Sequence, residues 1–314
     1  MAIVVPCFNE AAVIHETAKI LTQTLAGLVK RSLIDPASFL CFIDDGSDDD
    51  TWQRIMALKN AFPSITGIKL ARNYGHQYAL LAGLSRVRGR ADCAVSVDAD
   101  LQDDITVIEE FLKKYKDGCD LVYGIRSTRE PDSAFVRLSA SLFYRFMHCL
   151  GAASIAQHAD FRLTSKKVMD ALENFREATV FLRSIFPSMG FKHGVVYYDR
   201  KPRLAGKTKY TLRKMLAFAV DGIISSGTAP LRIISLTGFL ILLSSGVMIF
   251  YTLYLLLAGN NLPGWAATVL PIYFLGGIQL LSLGLLAEYI GRIFWEVKGR
   301  PRYLIEEELH GSSD

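Results

Sequence analysis

The 55 residues from Ile233 to Ala287 contain no Asp, Glu, Lys or Arg. That absence excludes an ordinary soluble domain for this part of the chain. A membrane-spanning helix needs about 20 apolar residues, so the run is too long for one span. It breaks at Gly259-Asn260-Asn261-Leu262-Pro263-Gly264, a cluster of turn formers and a helix breaker. Two spans are therefore expected within 230–295, at about 233–258 and 264–287. Cysteine is also scarce: the five are widely spaced at 7, 41, 93, 119 and 149, and none forms Cys-x-x-Cys. A zinc site and a disulfide frame are both excluded, leaving reduced thiols. The start, Ala2-Ile3-Val4-Val5-Pro6, lacks the basic lead and longer apolar stretch of a signal peptide, so the N-terminal part is expected to stay in the cytoplasm. Net charge is only +4, too little to argue for nucleic acid.

What charge there is falls unevenly. Between Lys192 and Lys214 stand Lys192, Arg200, Lys201, Arg203, Lys207, Lys209, Arg213 and Lys214 against one acid, Asp199. Arg292, Lys298, Arg300 and Arg302 follow the second span, and the 259–264 connector has no basic residue. By the positive-inside bias both termini face the cytoplasm. Residues 206–229 read as a juxtamembrane segment whose helix at 211–228 carries Leu212, Met215, Leu216, Phe218, Ala219 and Ile223 beside Arg213 and Lys214, suited to a membrane interface. A second amphipathic helix is expected at 135–150. Gly277, Gly284 and Gly291 recur every seven residues on one face of the second span, which could pack on the first span or on another subunit; a homo-oligomer is expected. Residues 296–314 read as a cytoplasmic tail.

Residues 1–205 have the pattern of one globular domain. Strands are expected near 2–6, 39–44, 65–71, 92–98 and 120–125, and helices near 11–30, 51–61, 76–88 and 105–116. This alternation predicts a mostly parallel, Rossmann-like α/β sheet, with ligands beyond the carboxyl ends of the strands. Three of those ends are acidic: Pro6-Cys7-Phe8-Asn9-Glu10, Asp44-Asp45-Gly46-Ser47 and Asp98-Ala99-Asp100-Leu101-Gln102-Asp103. Alternating carboxylates at a strand end can aim at one ligand, and hard oxygens of this kind suit Mg²⁺ or Mn²⁺. His15, His76, His148, His158 and His193 show no metal-site spacing; His76 and His158 could lie near the cleft, but surface or packing roles are expected for them.

These three motifs, together with Ala159-Asp160-Phe161-Arg162-Leu163, Arg203-Leu204-Ala205-Gly206-Lys207-Thr208-Lys209-Tyr210 and Glu288-Tyr289-Ile290-Gly291-Arg292, resemble the family 2 glycosyltransferases of the polyprenyl-phosphate type. The resemblance implies a GT-A nucleotide-sugar domain and an inverting transfer from a nucleotide diphosphate sugar, UDP-glucose by preference, to polyprenyl phosphate at the cytoplasmic membrane face. It implies that Pro6, Phe8 and Glu10 border the base and ribose, that Asp44 or Asp45 reads the base edge, and that Asp98 with Ala99 lies by the ribose and metal. Asp100 and Gln102 are the implied metal ligands, and Arg126, in Gly124-Ile125-Arg126, the contact to the diphosphate. Asp160 is either a catalytic base or the partner that orients Arg162 toward phosphate. Arg200, Arg203, Lys207, Lys209 and Tyr210, with Arg162, are the implied lipid-phosphate contacts. Relatives often carry Tyr at Phe8 and Pro at Asp104; neither departure removes a ligand. A synthase acting on a polysaccharide acceptor would share the donor fold, but its Gln-x-x-Arg-Trp motif and extra spans are missing. A silent nucleotide-sugar-binding scaffold would bind the donor without turnover, which the intact acidic edge argues against. A flippase-like transporter would need more than two spans.

Overall fold

The structure, a computed structural model, describes residues 1–127, 158–177, 180–199 and 266–310, with short stretches between 234 and 258. The chain divides into two compact units. One comprises Met1–Ser139, Ala153–Lys209 and Pro301–Asp314, the other Ala140–Ala152 and Tyr210–Arg300.

The first unit is built on eight strands: β1 (Ala2–Cys7), β2 (Phe39–Asp44), β3 (Ile65–Leu70), β4 (Cys93–Ser96), β5 (Leu121–Arg126), β6 (His158–Ser165), β7 (His193–Tyr198) and β8 (Ile305–Leu309). Their order is β7-β5-β6-β4-β1-β2-β3-β8. β1 to β4 pair in parallel, and β7 is parallel to β5. β6 runs antiparallel between β4 and β5, and β8 antiparallel along β3. The helices are α1 (Ile14–Lys30), α2 (Thr51–Ala61), α3 (His76–Val87), α4 (Ile108–Lys116), α5 (Lys166–Leu172) and α6 (Leu182–Ser188).

Every residue of β1 is buried, as expected of a parallel strand covered on both faces. Its alternation splits the core. Ile3, Val5 and Cys7 pack with Ile14, Ala18, Leu21, Leu25 and Leu28, the apolar stripe of α1, and with residues of α2 and α4. Ala2 and Val4 pack on the opposite face with α3, α5 and α6. Truncating a side chain such as the fully buried Leu21 to Ala would cost about 2–5 kcal/mol. The turn before α4 is started by Asp104, whose side chain accepts the Thr106 N–H. Glu109 and Glu110 in the first turn of α4 and Lys113, Lys114 and Lys116 in its last suit the helix dipole. Cys7, Cys41, Cys93 and Cys119 are free thiols, in keeping with the sequence.

The segment read as a tail contributes β8, which covers the edge of β3 that would otherwise present unpaired backbone groups. Charge holds it there: Lys69 pairs with Glu306 at 2.9 Å, Arg86 with Glu308 at 2.9 Å, and the Trp52 indole N–H donates to Glu307 at 2.9 Å.

The second unit contains α7 (Ala266–Lys298), which extends past the expected end of the second span. Among the described residues it is the one helix long and apolar enough to cross a membrane, over Phe274–Lys298. Ile272, Phe274, Leu280, Leu283, Ile290 and Val297 stand exposed along it. Ile234, Gly238 and Ile241 share a groove with Leu275, Ile278, Gln279, Ser282 and Leu283 of α7. Gly277, Gly284 and Gly291 do not line this groove, and a Cβ built at any of them would meet nothing within 4 Å among the described residues. The helices expected at 135–150 and 211–228 lie outside the described residues.

Candidate functional site

The loops after β1 and β2 are tied together by hydrogen bonds at the carboxyl ends of their strands. The Asn9 N–H donates to Ser47 Oγ at 2.9 Å, Asn9 Oδ1 accepts the Asp48 N–H at 2.9 Å, and the Glu10 N–H donates to Thr51 Oγ1 at 2.9 Å. Gly46 permits the turn after β2: its φ is +63°, and a Cβ there would lie 2.3 Å from the Arg72 carbonyl carbon. Pro6 is buried; Phe8 and Glu10 are half-buried beside this turn.

Asp44 and Asp45 are both buried but differently employed. Both oxygens of Asp45 accept backbone N–H groups, from Tyr74 at 2.8 Å and Gly75 at 2.9 Å. Asp44 accepts from the Ser47 hydroxyl through Oδ1, while its buried Oδ2 has no hydrogen-bond partner among the described residues. Burial raises both carboxyls above their ordinary range. Asp45 thus braces the start of α3, and Asp44 has acceptor capacity to spare.

The loop after β4 carries the densest charge. Its backbone is anchored where Thr17 Oγ1 donates to the Ala99 carbonyl at 2.7 Å, and Leu101 takes a φ of 48°. Asp98 is 40% exposed. Loss of solvent, and then Asp103, Asp160 and Asp100, raise its carboxyl, with His76 working against them. Asp100 is half-buried and Gln102 nearly fully buried. Asp103, 2% exposed, accepts the Tyr198 hydroxyl at 2.6 Å and Arg126 Nη2 at 3.1 Å. Arg126 Nε also donates to the Tyr198 hydroxyl oxygen at 3.3 Å. Tyr198 reaches this position because Gly124 has no side chain: a Cβ there would stand 2.9 Å from the Tyr198 ring. Burial and the Asp103 charge raise the Tyr198 phenol.

Asp160 lies at the same edge, on β6, 8% exposed. It accepts from Arg162 Nη2 at 2.5 Å, from Arg183 Nη2 at 2.9 Å and Nε at 3.3 Å, and from Gln77 Nε2 at 3.3 Å. His76 Nε2 stands 3.4 Å from Asp160 and 3.8 Å from Asp98. Burial alone would raise the Asp160 carboxyl, yet His76, Arg162 and Arg183 hold it well below the carboxylate range. A carboxylate so engaged has little proton affinity, which does not suit a catalytic base, and its ion pair with Arg162 is the part of the other role that this geometry contains. Arg162, implied as a lipid-phosphate contact, is 0% exposed, bonded to Asp160 through Nη2 and stacked 4.6 Å over Phe186, while its buried Nη1 has no hydrogen-bond partner among the described residues.

The structure therefore brings together Pro6, Phe8, Glu10, Asp44, Asp45, Asp98, Ala99, Asp100, Gln102, Arg126 and Asp160 along one sheet edge. Arg200, Arg203, Lys207, Lys209 and Tyr210 lie outside the described residues. The sequence leaves room for His76 near the cleft while favouring a surface or packing role, and it assigns no role to Gln77, Asp103, Arg183 or Tyr198. Of these, Asp103 alone carried a signal, as the last acid of its motif. Among the described residues no three His, Cys, Asp or Glu side chains form a ready metal cage. The donor set nevertheless fits a hard cation. Asp98 and Asp100 bring carboxylate oxygens into a crowd of like charge, the arrangement by which Mg²⁺ is bound through one or two carboxylates plus substrate phosphates.

Residues 2–172 match the family described as Glycosyl transferase family 2. The chain is 49% identical over 310 residues to the uncharacterized glycosyltransferase YkoT of Bacillus subtilis, covering 99% of this chain and 92% of that protein. It is 34% identical over 317 residues to the SfII prophage-derived bactoprenol glucosyl transferase of Shigella flexneri, covering 99% of each. It is also 34% identical over 311 residues to the prophage bactoprenol glucosyl transferase homolog of Escherichia coli K12, covering 98% of each.

Proposed function

The chain belongs to glycosyl transferase family 2, and on that footing we propose that it transfers glucose from UDP-glucose to polyprenyl phosphate at a cytoplasmic membrane face. It is a glycosyltransferase. A lipid carrier as acceptor is supported by the full-length likeness to bactoprenol glucosyl transferases. The observation that carries the reading is the loop Asp98–Asp103, which presents clustered carboxylates and, through buried Asp103, fixes Arg126 beside them.

In this reading Pro6, Phe8 and Glu10 border the nucleotide, and the spare oxygen of Asp44 accepts from the base edge, for which an N–H of uracil is the simplest partner. Asp98 and Asp100, with Gln102, would hold Mg²⁺ or Mn²⁺, which when bound stabilises negative charge on the departing diphosphate. Arg126 adds a fixed guanidinium to the same task. The acceptor needs little activation, since a phosphate monoester with a second pKa of about 6 is largely dianionic at neutral pH. Its oxygen forms a bond to the anomeric carbon as the bond to the diphosphate oxygen breaks, UDP leaves, and configuration inverts. No proton has to move, which suits an Asp160 locked between guanidiniums.

The same sheet supports a membrane hairpin. Strands between residues 2 and 198 and the strand at 305–309 belong to one sheet, so the chain between 198 and 305 leaves and returns on one side of any membrane it enters, and the number of crossings is even. If α7 crosses, a second span must precede it, and the uncharged run at 233–258 supplies it. On this view residues 1–205 form the cytoplasmic catalytic domain, 206–229 lie at the interface, 230–295 form the hairpin, and Arg200, Arg203, Lys207, Lys209 and Tyr210 meet the lipid phosphate. The open glycine face of α7 is the surface by which copies associate.

A donor panel tests the proposal. Protein in lipid nanodiscs with Mg²⁺ and polyprenyl phosphate is expected to label the lipid from UDP-glucose; labelling from GDP-sugars alone would reject the donor assignment.

A further inference from the structure

Two arginine–aspartate pairs stand at the site edge, and only one has a task so far. Arg126 on Asp103 belongs to the face of the sheet packed by α1, α2 and α4, where Tyr198 lies in the core. Arg183 on Asp160 belongs to the opposite face, where Leu182, Ile185 and Phe186 of α6 are buried. In each pair a guanidinium about one-third exposed is held by a nearly buried carboxylate: 33% against 2% for the first, 38% against 8% for the second. Asp98 lies within electrostatic reach of both aspartates.

The mount of Arg183 is prebuilt. Gln77, in the first turn of α3, donates to Asp160 and accepts the Leu182 N–H at 3.1 Å, while the Tyr78 hydroxyl oxygen accepts the Val180 N–H at 3.4 Å. Two side chains thus fix the start of α6, and Asp160 then fixes the guanidinium through both Nε and Nη2. Arg162 serves the same carboxylate from within the core at 0% exposure, and Arg183 serves it from the side that is 38% exposed. A guanidinium held rigid by a carboxylate on one edge and 38% exposed at a ligand site can donate charge-assisted hydrogen bonds to a phosphate.

An inverting displacement places the attacking and departing phosphates on opposite sides of the anomeric carbon, so it needs two anion-binding poles. From this geometry we infer that Arg183 binds the attacking phosphate monoester of the acceptor, opposite the diphosphate pole at Arg126, with Asp160 and Gln77 as its positioning residues. The inference rests on the reaction proposed above and adds to it a residue that the basic 200–209 segment does not include.

The test separates binding from turnover. Farnesyl phosphate, a soluble prenyl monophosphate, inorganic phosphate and UDP are titrated into full-length wild-type protein and the Arg183→Gln and Arg183→Lys variants, with lipid glucosylation assayed in parallel. Losing a charge-assisted bond to phosphate is expected to weaken farnesyl phosphate binding by about ten- to a hundredfold in Arg183→Gln, with UDP affinity unchanged. Arg183→Lys keeps the charge without the fork and is expected to fall between; it also carries the test should the Gln variant not fold. Unchanged farnesyl phosphate affinity, or a loss confined to UDP, overturns the inference. Inorganic phosphate binding as tightly as farnesyl phosphate, with the same loss, assigns Arg183 to a simple anion site and also overturns it. If wild type forms no glycolipid but the selective loss of prenyl phosphate binding persists, the proposed reaction falls and the phosphate site stands.

Discussion

The Tyr198 hydroxyl donates to the buried Asp103 carboxylate at 2.6 Å, tying β7 to the loop after β4 by one short bond. The same carboxylate oxygen accepts from Arg126, so the orientation of that arginine depends on a residue 72 positions away in the chain.

Tyr198→Phe removes that donor and leaves Asp103 less satisfied in a dry setting. Destabilisation of about 1–3 kcal/mol is expected in a denaturant titration. Because Arg126 loses its brace, kcat should fall more than UDP affinity. A variant as stable and as active as wild type would show that the bond positions nothing.

Asp160→Asn bears on the two roles of that residue. The substitution leaves the fully buried Arg162 without its counter-charge, and breaking a buried pair costs about 3–5 kcal/mol. Asp160 titrates lower in the folded state than in the unfolded chain. Its stabilisation is therefore complete above the unfolded value of about 3.9 and is lost as pH falls toward the folded one. Melting curves from pH 6 to 3 should show a steeper acid decline in wild type than in the variant. Full stability with abolished turnover would restore the base assignment.

Asp44→Asn and Asp45→Asn should part company. Burial disfavours the charge at Asp44, and its Oδ2 accepts no hydrogen bond among the described residues, so the neutral isostere should melt at or above the wild-type temperature while UDP binding weakens. Asp45→Asn forfeits one of two accepted backbone N–H groups and should lower the melting temperature first. Equal effects on melting and on UDP binding in both variants would refute the division.

The part of this architecture that could be read from sequence was the part governed by local pattern. β1 to β5 follow runs of Val, Ile and Phe, and α1 to α4 follow their apolar stripes, so their bounds agree with expectation within a few residues. β8 was illegible because Glu306, Glu307 and Glu308 give it the look of solvated chain; it is a strand only because Lys69, Arg86 and Trp52 meet it across the fold. The acidic edge was visible because strand ends place their residues there whatever the partners. The identity of each partner was not. Asp44 and Asp45 separate only once Tyr74 and Gly75 turn their N–H groups toward one of them. Asp160 gains its character from Gln77 and Arg183, at opposite ends of a long stretch of chain. Arg162 looked available for phosphate, since nothing in its motif announces that β6 turns the side chain into the core.

The most direct measurement is the mass spectrum of the lipid fraction after purified wild-type and Asp100→Ala proteins are incubated with Mg²⁺, UDP-glucose and polyprenyl phosphate. A hexosyl phospholipid formed by wild type and absent with the variant is the predicted result. Its absence with wild type across UDP- and GDP-sugars, or its equal formation by Asp100→Ala, would contradict the account.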